Sequence, residues 1–151
     1  MNKKIAMING SLRKGSFNQT ILEYIKSGLE AKGYEVTQLD ISKLPLMNQD
    51  IEFPAPESVA AIREEVKKSV ALWIVTPEYN GSVPAPLKNV LDWISRPVDP
   101  DVPGAPDFVN GKLVAISGAA GRSGASLVLA ELKGLLQRMA MKPLEHTAGI
   151  S

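Results

Sequence analysis

Apolar residues along this chain form short continuous runs that are separated by longer segments of helical spacing. Three runs predict buried strands, namely "IAMI" at 5–8, "ALWIV" at 71–75 and "LVAI" at 113–116. Continuous rather than alternating apolar strands are typical of a parallel sheet that is covered on both faces. Residues 34–39 alternate more weakly, which predicts an edge strand, and residues 142–150 are the candidate for a fifth strand.

Apolar residues spaced three or four apart predict a helix in each interval between these strands. The helical positions are Ile21, Leu22, Ile25 and Leu29; Val59, Ile62, Val66 and Val70; Leu87, Val90, Leu91 and Ile94; and Leu127, Val128, Leu132, Leu135, Leu136 and Met139. Ser16 or Asn18 is suited to cap the first helix, Gly33 to end it, and Pro97 to end the third. Strands and helices therefore alternate, which predicts a flavodoxin-like three-layer α/β/α sandwich. Its five-stranded parallel sheet has the order 2-1-3-4-5, with the ligand at the carboxyl ends of the strands.

Length and composition limit the classes of protein that fit this pattern. The 151 residues favour a single domain spanning 1–151, and the net charge is +1. Neither nucleic acid nor a membrane is expected as a partner, because the chain has no basic excess and no apolar run long enough to cross a bilayer. The chain has no cysteine and a single histidine, His146, so we expect no metal site built from thiolates or several histidines. A cytoplasmic enzyme or binding domain is the default expectation.

The first candidate site is the segment "INGSLRKGSFNQ" at 8–19, between the first strand and the first helix. Gly10 and Gly15 have the spacing of a nucleoside-triphosphate loop, but Ser16 and Phe17 stand where such a loop needs Lys and then Ser or Thr. The dinucleotide fingerprint G-x-G-x-x-G is absent as well. A helix N-terminus that carries hydroxyl, amide and guanidinium donors suits a lone terminal phosphate. The donors are Ser11, Arg13, Ser16 and Asn18. The alternative reading is a polar turn that merely caps the helix.

Two further segments follow the third and fourth strands, at the same edge of the predicted sheet. In "TPEYNGSVPAPLKNVLDW" (76–93), prolines stiffen the chain and Asn80-Gly81 favours a sharp turn that exposes backbone groups to the edge of a flat ring. Tyr79 is placed to pack beside that ring, whereas Glu78 is only a weak candidate acid or base. In "ISGAAGRSGAS" (116–126), Ser117 and Gly118 leave the backbone open to close approach. Taken singly, these segments also read as a proline-rich connection and as a helix start capped by Ser123.

The convergence of the three loops indicates a phosphorylated flat heterocycle, of which flavin mononucleotide (FMN) is the obvious case. At this point the chain resembles the NAD(P)H-dependent FMN reductases, a family that includes chromate, quinone and azo reductases. "GSLRKGSFNQ" resembles their phosphate loop, and "PEYNGSVPAPLKNVLDW" resembles their isoalloxazine loop closely. The turn "SGAAGRSG" and the helix after it complete a resemblance that covers essentially the whole chain.

The resemblance implies a set of FMN-binding residues and a mode of assembly. It assigns the phosphate to Ser11, Arg13, Ser16, Asn18 and Gln19, one side of the flavin ring to Pro77, Glu78, Tyr79, Asn80 and Gly81, and the other edge to Ser117 and Gly118. It also implies a homodimer or homotetramer with FMN near a subunit interface, where Arg122 and Trp93 are weak candidates for contact. From the residues alone, Trp93 is expected in the core or at an interface rather than against the ligand. Relatives usually continue into a last helix that packs on the sheet, and this chain stops at Ser151, so the sandwich is expected to lack that helix.

The implied activity is hydride transfer from NAD(P)H to flavin N5, followed by reduction of a free flavin, quinone, azo compound or metal oxyanion in a ping-pong cycle. The cofactor carries this chemistry, so no catalytic side chain and no metal are assigned. The main alternative is a flavodoxin-type electron carrier that binds FMN without NAD(P)H turnover. Arg13, Lys14 and the net charge of +1 favour the reductase. An interaction domain that has lost its cofactor is a second alternative, and a nucleoside triphosphatase is the least favoured.

Overall fold

The sheet has the strand order expected from the sequence. The structure, a computed structural model, describes residues 1–151. Its strands are β1 (Lys4–Asn9), β2 (Glu35–Gln38), β3 (Ala71–Thr76), β4 (Leu113–Ala119), β5 (Lys142–Pro143) and β6 (Ala148–Ile150). All pairings are parallel and the order is β2-β1-β3-β4-β5, with β6 also beside β4. The flavodoxin-like order is therefore confirmed, and the expected fifth strand is present as two short pieces along one edge.

Helices cover the two faces of the sheet unequally. They are α1 (Phe17–Ala31), α2 (Glu57–Lys68), α3 (Ala85–Ile94) and α4 (Ser126–Arg138), with a short 3₁₀ helix at Gln49–Ile51. The larger core, of 21 buried residues, joins one face of the sheet to α2, α3 and α4, whereas five buried residues join the other face to α1. This division follows from right-handed crossovers, because the chain reverses direction across the sheet after β2. None of the helices has the length and apolar character needed to cross a bilayer.

Several predicted helix positions lie outside the helices or outside the core. Val70 follows α2 and is exposed, because α2 ends at Lys68. Leu127 lies in the first turn of α4 but is exposed, whereas Val128, Leu132 and Leu136 are fully buried. The third helix ends at Ile94, ahead of Pro97. The spacing of the apolar residues therefore located each helix but did not fix where the helix ends.

The segment before α2 is fastened to α3 by side chains. The indole Nε1 of Trp93 donates to the Pro45 carbonyl at 2.8 Å, and the Arg96 guanidinium donates to both oxygens of Glu52 at 2.6 and 2.9 Å. These hydrogen bonds from Arg96 hold the pKa of Glu52 below its ordinary value. Trp93 is fully buried inside its own chain. Of the two places expected for Trp93, the core and a subunit interface, the structure shows the core, whereas Arg122 is exposed.

Candidate functional site

Three loops meet where β1, β3 and β4 end. We call them the first loop (residues 10–16), the second loop (residues 77–84) and the third loop (residues 120–125). The amide of Gly10 donates to the Val75 carbonyl at 2.8 Å, which ties the first loop to the end of β3. The side chain of Asn18 accepts from the Ala119 amide at 2.9 Å and donates to the Ala119 carbonyl at 3.3 Å. The start of α1 is thereby joined to the end of β4.

The first loop ends in a run of unpaired backbone donors. The N–H groups of four consecutive residues, Lys14–Phe17, have no acceptor within the chain. Gly15 has a φ of +66°, a value that glycine adopts without strain, and this turns the chain into α1. Ser16 is the N-cap, because its side chain accepts from the Asn18 amide at 3.2 Å. Unpaired N–H groups at a helix N-terminus, together with the helix dipole, form an anion-binding site.

The polar residues expected around the phosphate divide into exposed donors and supports. Arg13 is exposed, and its guanidinium carbon lies 5.6 Å from the centre of the Phe17 ring. Ser11 is buried, and its hydroxyl accepts from the Arg13 amide at 3.2 Å. Gln19 accepts from the side chain of Asn9 at 2.9 Å, and Asn9 in turn accepts from the Ser11 amide at 2.8 Å. Asn18 and Gln19 therefore already have protein partners that fix the loop.

A concavity lies on each side of the first loop. One, of about 470 Å³, opens towards the end of β2 and is lined by Arg13, Lys14 and Asp40 among others. The other, of about 380 Å³, is mostly apolar and lies between Phe17 at the start of α1 and Ala119 at the end of β4. A ligand at the N-terminus of α1 consequently has space beside it in either direction.

The second loop is a tight turn of the kind that Asn-Gly favours. Tyr79 and Ser82 exchange backbone hydrogen bonds of 3.2 and 3.0 Å, and the two residues between them, Asn80 and Gly81, have φ values of +54° and +71°. Two central residues with positive φ define a type I′ turn, which confirms the sharp turn expected here. The N–H groups of Glu78, Asn80 and Gly81 have no acceptor within the chain. The turn thus offers backbone donors to a ligand.

The end of β4 is shaped by close packing. A Cβ atom at Gly118 would lie 2.5 Å from the Thr76 carbonyl oxygen, so only glycine allows β3 and β4 to approach this closely. The Ser117 hydroxyl accepts from the Trp73 indole Nε1 at 3.0 Å and is buried. The side chain of Ser117 is therefore engaged on the α1 side of the sheet, and a ligand at the strand ends would meet this segment through its backbone.

Comparison with known proteins identifies the family. Residues 3–151 match the NADPH-dependent FMN reductase family. The chain belongs to that family. Over 136 residues it is 39% identical to a 2-hydroxy-1,4-benzoquinone reductase of Burkholderia sp, an alignment that covers 89% of this chain and 70% of the relative. Over 143 residues it is 39% identical to an NAD(P)H-dependent FMN reductase of Pseudomonas aeruginosa, covering 93% and 73%.

Solved structures agree with this assignment. The flavoenzyme FerB of Paracoccus denitrificans, an NAD(P)H:(acceptor) oxidoreductase, superposes with a TM-score of 0.84 at 34% identity over 95% of this chain and 75% of FerB. An archaeal flavodoxin superposes with a TM-score of 0.63 at 14% identity over 98% and 83%, which shows a shared fold only. This FMN reductase is therefore an FMN-dependent oxidoreductase that takes electrons from NAD(P)H and passes them to a small-molecule acceptor.

The residues at the strand ends fit the cofactor of this family. FMN has one phosphate and one flat ring, and the site offers one helix N-terminus with four unpaired N–H groups and one turn with unpaired N–H groups. The charged residues of the first loop are Arg13 and Lys14, so the loop has no carboxylate that would repel the phosphate. Both halves of the ligand therefore find complementary groups at one edge of the sheet.

Glu78 serves as an anchor between the second and third loops of the reductase. Its carboxylate accepts from the Ser123 hydroxyl at 2.6 Å and from the Val128 amide at 2.9 Å. These donors, the hydroxyl foremost, hold the pKa of Glu78 below its ordinary value. A carboxylate that stays ionised and already accepts two bonds is not poised to donate a proton. The helix α4 begins at Ser126 after Ala125 at φ +63°, so Ser123 is not its N-cap, and the alternative reading of this loop as a helix start capped by Ser123 does not hold. Ser123 instead carries the anchor.

Replacing Glu78 with Gln is expected to lower the melting temperature of the reductase by a few degrees at neutral pH. The folded pKa lies below the unfolded one, so the stabilisation is complete above the unfolded pKa and is lost as the pH falls through the folded pKa. The difference between the wild type and the Gln variant should therefore shrink as the pH falls below 4.5, the ordinary pKa of a glutamate, which thermal melts from pH 7 to pH 3 would measure. A difference that stays constant from pH 7 to pH 3 would contradict the anchor. Glu64→Gln on the exposed face of α2 is the matched control.

Two features of the site were not visible in the sequence. Glu131 lies on α4 yet accepts hydrogen bonds from the second loop, and Asn18 bridges to β4 across 101 residues. Neither residue has a motif that predicts its partner, because the contact depends on how α4 and α1 cross the end of the sheet. The only sequence signal for the Glu131 contact is that this glutamate lies one helical turn after Leu127 and so shares a face of α4 with it.

Proposed function

We propose that this FMN reductase is a quinone reductase that holds FMN in the three loops. The observation that supports this placement best is that the first and second loops present unpaired backbone N–H groups at the same edge of the sheet. The relatives support a quinone as acceptor, since they include a 2-hydroxy-1,4-benzoquinone reductase and, at 36% identity, a quinone reductase of Escherichia coli. Free flavins, azo compounds and metal oxyanions are the competing acceptors.

Bound FMN supplies the redox chemistry, because it accepts hydride from NAD(P)H in one half-reaction and passes the electrons to the acceptor in the next. The chain's part is to bind and orient. The proposed phosphate ligands are Ser11, Arg13, Ser16 and the N–H groups of the first loop, with Asn18 and Gln19 at its back. The second loop, from Pro77 to Gly81, flanks the ring. Ser117 and Gly118 contribute backbone at the opposite edge.

No side chain is required as an obligatory acid or base in this proposal. Glu78 faces the third loop and is held ionised, and Tyr79 is half exposed at the surface beside the turn. Tyr79 is placed to limit one side of the opening through which NAD(P)H and the quinone would take turns. Successive occupation of one opening is the physical basis for a ping-pong order.

The remaining parts of the proposal concern the assembly and setting of the protein. We propose that residues 1–151 act as one domain, since every strand belongs to one sheet. A homodimer or homotetramer is also proposed, with the exposed Arg122 next to the site as its candidate contact. A cytoplasmic location completes the proposal, because NAD(P)H, the electron donor, is present in the cytoplasm.

Anaerobic reduction is the experiment that tests the function. The purified protein reconstituted with FMN is expected to show the visible flavin bands, and NADPH or NADH should bleach them within seconds. Addition of 1,4-benzoquinone should then restore the bands. Steady-state rates at several fixed quinone concentrations should give parallel double-reciprocal lines, as a ping-pong order requires. Flavin bands that persist with both nucleotides would instead favour the flavodoxin-type electron carrier, and bands that bleach but are not restored would reject the quinone as acceptor.

A further inference from the structure

The turn of the second loop is fastened to the rest of the protein by one side chain from α4. One carboxylate oxygen of Glu131 accepts from the Ser82 hydroxyl at 3.0 Å, and the other accepts from the Val83 amide at 3.1 Å. The backbone groups of Tyr79 and Ser82 bond only to each other. The two bonds to Glu131 are therefore the only hydrogen bonds that join residues 79–83 to another part of the chain. The conformation of the turn relative to α4 therefore depends on Glu131.

A second carboxylate makes the reciprocal connection. Glu78 lies on the second loop and accepts from the Val128 amide in the first turn of α4, whereas Glu131 lies on α4 and accepts from the second loop. Between them, a Cβ at Gly81 would lie 3.2 Å from Leu127 Cδ1, so Leu127 packs directly on the tip of the turn. We call this arrangement of Glu78, Leu127 and Glu131 the loop clasp. It fixes the turn at its beginning, its tip and its end.

We propose that Glu131 is a positioning residue that sets the reduction potential of the bound flavin by holding the turn in place. This inference rests on the proposed placement of the second loop beside the flavin ring. The N–H groups of Asn80 and Gly81 are unpaired and belong to the part of the turn that Glu131 secures. Donors at the ring edge stabilise the reduced form more than the oxidised form, because reduction adds negative charge to the ring.

Loss of positioning and loss of charge have opposite consequences for the potential. If Glu131 acted only through its negative charge, removing it would favour the reduced flavin and raise the potential. If it acts by holding donors in place, removing it loosens the turn, weakens the stabilisation of the reduced form and lowers the potential. The sign of the change in the reduction potential therefore separates the two roles. If Glu131 only stabilised the fold, its removal would leave the potential unchanged.

The test compares FMN-loaded wild type with Glu131→Ala, with the midpoint potential measured against a reference dye. We expect the affinity for oxidised FMN to fall about threefold, since the two hydrogen bonds are solvent-exposed. The affinity for the reduced form should fall about tenfold more, which lowers the two-electron potential by about 30 mV. Ser82→Ala removes one of the bonds and no charge, and Glu131→Gln keeps one acceptor oxygen. Both should give a smaller shift in the same direction.

Glu64→Ala is the matched control, because Glu64 is exposed on α2 and its one ion-pair partner is Lys68 at 3.8 Å. It should leave the potential unchanged. A raised potential in Glu131→Ala would overturn the proposal, and so would an unchanged potential accompanied by a lower melting temperature. Failure of wild type to bind FMN or to be reduced by NAD(P)H would count against the proposed function instead, so the two failures are distinguishable.

Discussion

The double variant Arg13→Ala, Ser16→Ala is expected to bind FMN about 100-fold more weakly than the wild type while its affinity for riboflavin stays nearly unchanged. Riboflavin has the same ring as FMN but no phosphate. Hydrogen bonds to a charged group contribute about 1.5–3 kcal/mol each, and every 1.4 kcal/mol corresponds to a tenfold change in affinity. Removing the guanidinium and one hydroxyl should therefore remove most of the selectivity for the phosphorylated ligand.

Fluorescence titration of the flavin-free protein with each ligand would measure this ratio. Lys14→Ala is the matched control, because it removes a neighbouring positive charge from the same loop and Lys14 is not among the proposed phosphate ligands. It should reduce FMN affinity by less than tenfold. Ser16 also caps α1, and loss of an N-cap costs about 1 kcal/mol. Melting temperatures of the flavin-free variants would reveal that contribution separately.

Two outcomes of this experiment would contradict the phosphate assignment. One is FMN affinity equal to that of the wild type. The other is an equal loss for FMN and riboflavin, which would indicate that the variant disturbs the loop generally. The backbone N–H groups of Lys14–Phe17 remain in the double variant, so some preference for FMN should persist. Their contribution explains why we expect a large loss rather than a complete one.

Local patterns were sufficient to predict those parts of the site that are built from neighbouring residues. Asn80-Gly81 predicted a tight turn because both residues tolerate positive φ, and the structure has a type I′ turn there. Ser16 was one of two caps considered, and it is the one that accepts from the Asn18 amide. The convergence of the loops followed from the strand order, because parallel strands present their carboxyl ends at one edge.

Contacts between distant segments were beyond reach of the same reasoning. Trp93 was expected in the core or at a subunit interface, and the structure places it in the core with its indole donating to Pro45, 48 residues earlier. The fifth strand was expected as one segment, but only residues 142–143 and 148–150 pair with β4. Hydrophobic period reports which face of an element is buried and says little about which polar partner lies opposite. The Glu131 contact to Ser82 is missed for the same reason.

Replacing Gly118 with alanine is expected to destabilise the protein by about 3 kcal/mol, and Gly28→Ala should stabilise it. The added Cβ at Gly118 would lie 2.5 Å from the Thr76 carbonyl oxygen and 3.1 Å from Ala125 Cβ. A backbone oxygen cannot move without separating β3 from β4, and overpacking of this kind costs about 1–3 kcal/mol or more. Gly28 lies exposed in α1 with no atom within 4 Å of its added Cβ, so it gains about 0.5–1 kcal/mol in helix propensity.

Thermal melts of the two alanine variants would test these opposite effects on stability. At this chain length, about 3 kcal/mol corresponds to a fall of about 6–12 °C for Gly118→Ala, against a rise of about 2 °C for Gly28→Ala. Thr76 immediately precedes the second loop, so separation of β3 from β4 should also displace the turn at Asn80-Gly81 and weaken FMN binding. An unchanged melting temperature in Gly118→Ala would show that the ends of β3 and β4 accommodate the added methyl group without loss of stability. In that case the close approach of β3 and β4 would not be what holds the second and third loops in register.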